Sequence, residues 1–462
     1  MSAIYLYGAP ASGKTTLGAK LAARLGRPFV DLDALIVERE GRDIPSIFAG
    51  VGEAGFRARE SAALRAVEER DAVVALGGGT LLDESNRRYC ESRGIVACLD
   101  APSEEELARR IGSAAGSRPL GNRAKERAPH YASFARRIAR TFELGPSLVV
   151  VGEGIAPAFA DGLPTVADGN VAGIYGLRET CGKLLAVIPS GEANKTPATV
   201  MGLWSAFARG GLGRKDAVVA VGGGVTGDLT GFAAATWMRG MDWINVPTTL
   251  LAMVDASTGG KTGCDLPEGK NLAGAFHAPK LVVIDVDYLK TLPPEVLAAG
   301  RAEMIKHEVI SGIARKPCGA APTAREIADN LAVKIGIVER APFERKGDRM
   351  LLNCGHTVAH AVETLTGYGV SHGEAVAIGC VAEARMAVER GIAAKDWPEE
   401  LAARFAEAGL RTEMPGGLPE EAMRAAMKGD KKRKGDIVTF ALPCGWGDVR
   451  LVPVDLSEST KK

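Results

Sequence analysis

Short apolar runs alternate with helix-period patterns over the first three-fifths of the chain. Residues 4–7, 28–33, 73–76, 148–151, 183–188 and 217–221 are such runs, each bounded by glycines or polar turn residues, as buried parallel strands are. Helical periodicity follows the first run over residues 16–25 and recurs between the later ones. Alternation of this kind predicts an α/β fold with a parallel sheet. From residue 288 the pattern changes: Leu292-Pro293-Pro294-Glu295 opens a mainly helical region. Leu144-Gly145-Pro146-Ser147 is turn chemistry and marks a boundary. Three domains are expected, over 1–142, 146–287 and 288–462.

Composition narrows the class. The chain has 462 residues, 46% hydrophobic and 24% charged, enough to bury several cores. A net charge of +1 offers no electrostatic hold on nucleic acid or an anionic membrane, so small molecules are the expected partners. No apolar run approaches the roughly 18 residues that span a bilayer. Residues 1–7 enter a strand without a basic leader, and the eight cysteines form no C-x-x-C pair. Both features point to a cytoplasmic protein with reduced thiols.

Chemistry begins after the first strand. Gly8-Ala9-Pro10-Ala11-Ser12-Gly13-Lys14-Thr15, followed by Thr16 and a helix, is the phosphate-binding loop G-x-x-x-x-G-K-[ST] in strand–loop–helix context. Its backbone N–H groups wrap phosphate oxygens, Lys14 reaches the outer phosphates and Thr15 holds magnesium. The next strand is expected to carry Asp31 and Asp33 on one side. Arg57 and Arg59 beside Gly77-Gly78-Gly79 suit a small carboxylate acceptor, because guanidinium binds carboxylate bidentately. Arg118-Pro119-Leu120 reads as a lid, with Arg127 nine residues on.

A second glycine loop, Gly222-Gly223-Gly224-Val225-Thr226-Gly227-Asp228, follows a strand and allows a pyrophosphate close to the backbone. Lys261, Lys270 and Asn271 lie in later glycine-rich stretches suited to phosphate or carboxylate capture. Three of the six histidines fall in one window, His356, His360 and His372. His356 and His360 are four apart and share a helix face, which invites them as paired ligands. Imidazoles brought to a distant carboxylate would make a divalent-metal site. The pattern H-E-x-x-H is excluded, since Thr357 stands where its glutamate would be.

Taken together, the N-terminal motifs resemble shikimate kinase over most of residues 1–137. The resemblance implies that Gly8, Ala9, Pro10, Ala11, Ser12, Gly13, Lys14, Thr15, Thr16 and Arg118 hold ATP. Asp33, Arg57, Gly78 and Arg127 would hold shikimate, with Asp33 beside the acceptor hydroxyl and Lys14 and Arg118 stabilising the transferring phosphoryl group. Thr15 and Asp31 would serve magnesium. Two departures from that family are a short segment between Arg118 and Arg127 and the absence of its Arg-Asn-Pro stretch after Arg140.

From about residue 146 to 455 the chain resembles 3-dehydroquinate synthase. The carrying segments are 190–195, 222–228, 255–271, 303–306, 349–372 and Asp430-Lys431-Lys432. The resemblance implies zinc, or cobalt, on Glu303, His356 and His372, which frees His360 for substrate. It implies NAD on Ser190, Gly191, Glu192, Lys195, Gly224, Val225, Thr226, Gly227, Asp228, Thr248, Thr249, Lys261, Lys270, Leu289, Lys290 and Thr291. Asp255, Lys261, Lys270, Asn271, Lys306, Lys334, Arg349, Asn353, His360 and one of Lys431 and Lys432 would contact substrate. Of these, Lys261, Lys306, Arg349, Asn353 and His360 would be catalytic. The expected architecture is then a P-loop kinase domain, an α/β NAD-binding domain and an α-helical metal-binding domain, pairing as a homodimer through the synthase half. The expected activities are ATP-dependent phosphorylation of shikimate and NAD- and metal-dependent conversion of 3-deoxy-D-arabino-heptulosonate 7-phosphate to 3-dehydroquinate. Two other readings remain open at this level. One fuses a small sugar kinase to another sugar-phosphate cyclase or polyol dehydrogenase; the other reduces the kinase half to a nucleotide-binding module.

Overall fold

The computed structural model describes residues 2–101, 126–313, 318–341, 347–428 and 437–457. The chain forms two compact units. The first comprises residues 1–221, 229–246 and 263–287, and the second 222–228, 247–262 and 288–462.

The first unit is built on one eleven-stranded sheet. Its leading strands are β1 (Ala3–Gly8), β2 (Phe29–Asp31), β3 (Val73–Ala75), β4 (Gly94–Leu99) and β5 (Arg137–Leu144). Next come β6 (Ser147–Glu153), β7 (Thr165–Asp168), β8 (Leu184–Ile188), β9 (Ala217–Gly222) and β10 (Asp242–Pro247). A separate two-stranded sheet pairs β11 (Lys261–Leu266) with β12 (Gly269–Phe276), and β13 (Leu281–Asp285) returns to the large one. The order is β2-β3-β1-β4-β5-β6-β13-β10-β9-β7-β8. All residues of β1, β3, β9 and β13 are buried, which explains why these runs, Asp285 apart, are apolar and do not alternate.

Two parallel blocks meet in this sheet. β1 runs parallel to β3 and β4, and β4 to β5. β6 runs parallel to β13, and β13 to β10. β5 and β6 pair antiparallel, from Arg137 opposite Glu153 to Leu144 opposite Ser147. The turn Gly145-Pro146 between them, with Gly145 at φ 55°, is a two-residue hairpin turn with glycine first. The turn chemistry read at this point therefore folds as a hairpin within one sheet.

Helices α1 (Lys14–Leu25), α2 (Leu32–Glu40), α3 (Ile44–Arg65) and α4 (Glu84–Arg93) belong to the leading block, and α5 (Pro197–Arg209) and α6 (Gly224–Thr236) follow. One expectation is corrected here. The strand read over 28–33 stops at Asp31, because Asp31 caps α2 by accepting the Ala34 N–H at 3.1 Å. Asp33 therefore sits in the first turn of a helix.

The second unit holds α7 (Pro294–Ser311), α8 (Ala324–Arg340), α9 (His356–Leu365), α10 (His372–Glu389), α11 (Trp397–Glu407) and α12 (Glu420–Lys428). The antiparallel pair β14 (Ile437–Gly445) and β15 (Asp448–Asp455) packs with them. Its core gathers Val358, Val362, Val376, Val381, Leu401, Phe405 and Phe440. Glycine permits the close crossing of α9 and α10: a Cβ on Gly379 would lie 2.0 Å from the Gly355 carbonyl oxygen.

Candidate active sites

In the first unit the phosphate loop runs from the carboxyl end of β1 into α1, with left-handed φ at Ala11 (60°) and Gly13 (95°). The N-terminal amides of α1 have no side-chain cap, and the Ser12 hydroxyl is buried without a partner. An anion with several acceptor oxygens fits such a nest. Lys14 curls back onto the loop, donating to Gly8 O (2.9 Å) and Ala9 O (2.8 Å). Burial pushes its ammonium down to about 8, against the opposing pull of Asp33, Cys98 and Asp31. The Thr15 hydroxyl donates to Asp31 at 2.6 Å, which joins the two groups expected at magnesium.

The second glycine run of this block collects the expected acceptor set. A Cβ on Gly77 would stand 2.4 Å from Glu60 Oε1 and 3.4 Å from Asp33 Oδ1, and one on Gly79 would stand 2.5 Å from Arg57 Nη2. Arg127 donates to Gly78 O at 3.3 Å, and Tyr131 reaches the same oxygen at 2.6 Å. Asp33, Arg57, Gly78 and Arg127 thus surround one turn. Sequence reasoning missed Glu60 and Tyr131. Glu60 is almost fully buried, pairs with Arg57 at 2.5 Å and accepts from Thr80 at 2.6 Å. Its position three residues after Arg57 was a readable signal. Arg118 lies outside the described residues, as do Lys431 and Lys432.

The residues expected at NAD fall into both units. In the first, Lys270 pairs with Glu192 at 3.4 Å and Lys195 donates to Asn271 at 2.6 Å. The Ser190 hydroxyl is engaged by Asp168 at 2.8 Å. In the second, Gly224, Val225, Thr226, Gly227 and Asp228 open α6, and the Thr248 N–H bonds Gly222 O at 2.9 Å. A Cβ on Gly223 would press on Thr249 at 3.2 Å. The Thr226 hydroxyl is buried without a partner, so this helix N-terminus keeps an unspent donor for a phosphate ligand. Lys261 is exposed, Leu289 is buried, and Leu289, Lys290 and Thr291 close the 3-10 turn Val286–Thr291.

Three ligating atoms converge in the second unit. Glu303 on α7 stands 3.4 Å from His356 Nε2 on α9 and 3.4 Å from His372 Nε2 on α10, and the three lie within 4.8 Å of one another. Both Glu303 oxygens are fully buried. Such a Glu/His/His set, with its nitrogens aimed at one buried carboxylate, fits a divalent ion with open positions. Neighbours orient both rings: His356 Nδ1 bonds Cys354 O at 3.1 Å, and His372 Nδ1 stands 3.4 Å from Glu363. Burial alone would lower His372, yet hydrogen bonds to Glu303 and Glu363 hold it up at about 10. The His360 ring is 5.5 Å from that of His356, edge-on, and the residue is exposed.

A lysine-rich pocket adjoins this cluster. Lys306, buried, pairs with Glu303. Lys334 pairs with Asp255 at 2.7 Å. Burial opposes ionisation of Asp255, but Lys334 and Lys306 outweigh it and hold the carboxyl below its ordinary range. Arg349 is buried, and a Cβ on Gly259 would lie 2.9 Å from its guanidinium. Asn353 donates to Met350 O at 3.2 Å. His307, also buried, bonds Asn330 Oδ1 through Nδ1 at 2.8 Å, and Asn330 Nδ2 donates to Met304 O at 3.0 Å. The amide orientation makes Nδ1 the protonated nitrogen of His307 and leaves Nε2 a bare acceptor. Burial, with Lys306, pushes this imidazole down to about 4, so it is neutral at physiological pH.

Residues 10–144 match the family described as Shikimate kinase. Residues 185–299 match 3-dehydroquinate synthase N-terminal, and 300–433 match 3-dehydroquinate synthase C-terminal. A solved structure of 2-deoxy-scyllo-inosose synthase complexed with carbaglucose-6-phosphate, NAD+ and Co2+ superposes with TM-score 0.60 at 25% identity, over 69% of this chain and 97% of that one. A 2-epi-5-epi-valiolone synthase from Streptomyces hygroscopicus subsp. jinggangensis 5008, with NAD+ and Zn2+ bound, gives 0.59 at 26% identity, over 68% and 94%. A 3-dehydroquinate synthase from Synechococcus sp. is 46% identical over 57% of this chain and 75% of its own length. Fold and sites define a class: a P-loop phosphotransferase joined to a metal- and NAD-dependent cyclising lyase. A 3-dehydroquinate synthase from Xanthomonas oryzae pv. oryzae is 41% identical over 72% of this chain and 92% of its own length. The chain belongs to the 3-dehydroquinate synthase family and carries a shikimate kinase domain ahead of it: it is a bifunctional enzyme of the shikimate pathway.

Proposed function

We propose that the two activities divide over residues 1–142 for the kinase, 146–287 for NAD binding and 288–462 for metal and substrate. In the kinase part, Lys14 swings from Gly8 and Ala9 onto the outer phosphates, and Thr15 with Asp31 holds magnesium. Arg57 and Arg127 take the shikimate carboxylate beside Gly78, Asp33 orients the acceptor hydroxyl, and Arg118 covers the transferring group.

In the synthase part, Glu303, His356 and His372 hold the divalent metal, with Glu363 fixing the ring of His372. Bound metal and NAD together supply a transient, reversible oxidation of a substrate ring hydroxyl, which acidifies the neighbouring C–H. Lys261, Lys270, Asn271 and Arg349 anchor the carboxylate and phosphate of the heptulosonate phosphate, and the phosphate leaves after that proton. Lys306 and Lys334, each held by a carboxylate, add buried positive charge. Asn353 and His360 manage protons on substrate hydroxyls. The chain's 41–46% identity to 3-dehydroquinate synthases, against 25–26% to the two other cyclases, supports this substrate choice. We also propose a homodimer formed through the synthase half and a cytoplasmic location. The latter accords with the described residues containing no helix long and apolar enough to cross a membrane.

One observation carries the synthase assignment: two imidazole Nε2 atoms at 3.4 Å from one buried carboxylate. His356→Ala is expected to abolish metal binding, whereas His360→Ala retains metal and loses turnover, as read by metal content and phosphate release. Equal loss of metal in both would refute the ligand assignment. For the kinase, incubation with shikimate and ATP is expected to yield shikimate 3-phosphate and ADP; no transfer would sink those residue roles.

A further inference from the structure

The turn that delivers His356 is gripped by groups outside the metal set. α9 begins with Gly355 at φ 77°, has no side-chain cap and carries no acidic residue in its first turn. Its leading amides are instead served from the neighbouring helix. Glu383, fully buried on α10, accepts the Gly355 N–H at 2.7 Å and the Val358 N–H at 3.3 Å. Cys380, one turn earlier on α10, donates its thiol to Cys354 O at 3.7 Å. That carbonyl is the one bonded by His356 Nδ1. Gly379 brings the α10 backbone against Gly355.

We infer that Glu383 is a positioning residue of the metal centre, acting through the first turn of α9 on the aim of His356 Nε2. A carboxylate is suited to this place, because it satisfies two otherwise unpaired helix amides and answers the positive end of the helix dipole. Helix periodicity gives the arrangement its economy: Gly379 and Glu383 follow His372 by about two and three turns, so one stripe of α10 presents a ligand and braces the helix that carries the other. A ring turned by a shifted helix start would point its lone pair away from Glu303. The inference rests on Glu303, His356 and His372 being the metal ligands.

The test uses the full chain, stripped of metal and titrated with Zn2+ against a chelating indicator, then with Co2+ for its absorption bands. Glu383→Gln removes the charge and one acceptor while keeping the shape. Its Zn2+ affinity is expected to fall about 10- to 100-fold, the usual range for partners that orient a ligand, with altered Co2+ bands. Phe405→Leu, a core change in the same unit, serves as control. It lowers the melting temperature and is expected to leave affinity and bands as in wild type. Wild-type affinity in Glu383→Gln, or an equal loss in the control, overturns the positioning role. Tight metal binding by His356→Ala would instead overturn the ligand assignment beneath it. Should Glu383→Gln not fold, Glu383→Asp decides: it keeps the charge but shortens the reach to the Gly355 and Val358 amides, so a several-fold weaker Zn2+ affinity supports the role and wild-type affinity overturns it.

Discussion

Lys14 is held by the carbonyls of its own phosphate loop. Folded back on two carbonyls and depressed to about 8, it is half-neutral near that pH, against 10.5 for an ordinary lysine. Between those values the unfolded chain binds more protons than the folded one, so this group's contribution to stability rises with pH across that window. Phosphate oxygens would restore the charge. Nucleotide binding at pH 9 is therefore expected to take up a substantial fraction of a proton through Lys14, and almost none at pH 6.5. Calorimetry in two buffers of different ionisation heat measures this, and Lys14→Met should abolish the difference. At this scale the sequence was informative where residues act within a short stretch, as in the phosphate loop. It misled slightly at the histidines. Spacing pairs His356 with His360, yet the atoms facing Glu303 belong to His356 and His372, because α9 and α10 cross and no local period encodes a crossing. Glu363 and Glu383 gave no signal, since what they hold becomes their neighbour only after folding.

At the scale of elements, glycines decide how near the helices of the second unit come. Gly379→Ala would place a methyl group 2.0 Å from the Gly355 carbonyl oxygen and push α9 off α10. A loss of about 1–3 kcal/mol in the metal-free chain is expected from such overpacking, measured by denaturant unfolding. Gly336→Ala is the contrasting case. It lies inside α8 with only the tip of Arg340 within 4 Å, so alanine there should stabilise by about 0.5–1 kcal/mol. Buried strands were legible as unbroken apolar runs. β5 was not, because Arg137–Leu144 is only partly buried and its polar residues are paired outward, as in Arg137 with Asp100 at 2.7 Å. Asp31 was read as strand for a related reason: an N-cap is written in one side chain and leaves no period.

For the whole molecule, the hairpin β5–β6 means that the kinase part and the NAD-binding part share one hydrogen-bonded sheet. Cutting between Gly145 and Pro146 should not yield two independent proteins. β6 is buried along Leu148, Val149, Val150 and Val151, so a fragment beginning at residue 146 would expose an apolar edge. Co-expressed fragments 1–145 and 146–462 are expected to co-purify as a 1:1 complex, and the second alone to aggregate. Separate elution of two soluble, active fragments would contradict this. The alternation of apolar runs and helical patterns was readable, whereas the seam was not, since a turn motif is the same whether it links two bodies or closes a hairpin. The antiparallel seam has one further consequence. Strands of the two blocks run in opposite directions, so the edge from which the phosphate loop springs is the amino edge of the block beyond β5. Because open α/β sheets take ligands at the carboxyl ends of their strands, the two blocks of the first unit present those ends on opposite edges of one sheet.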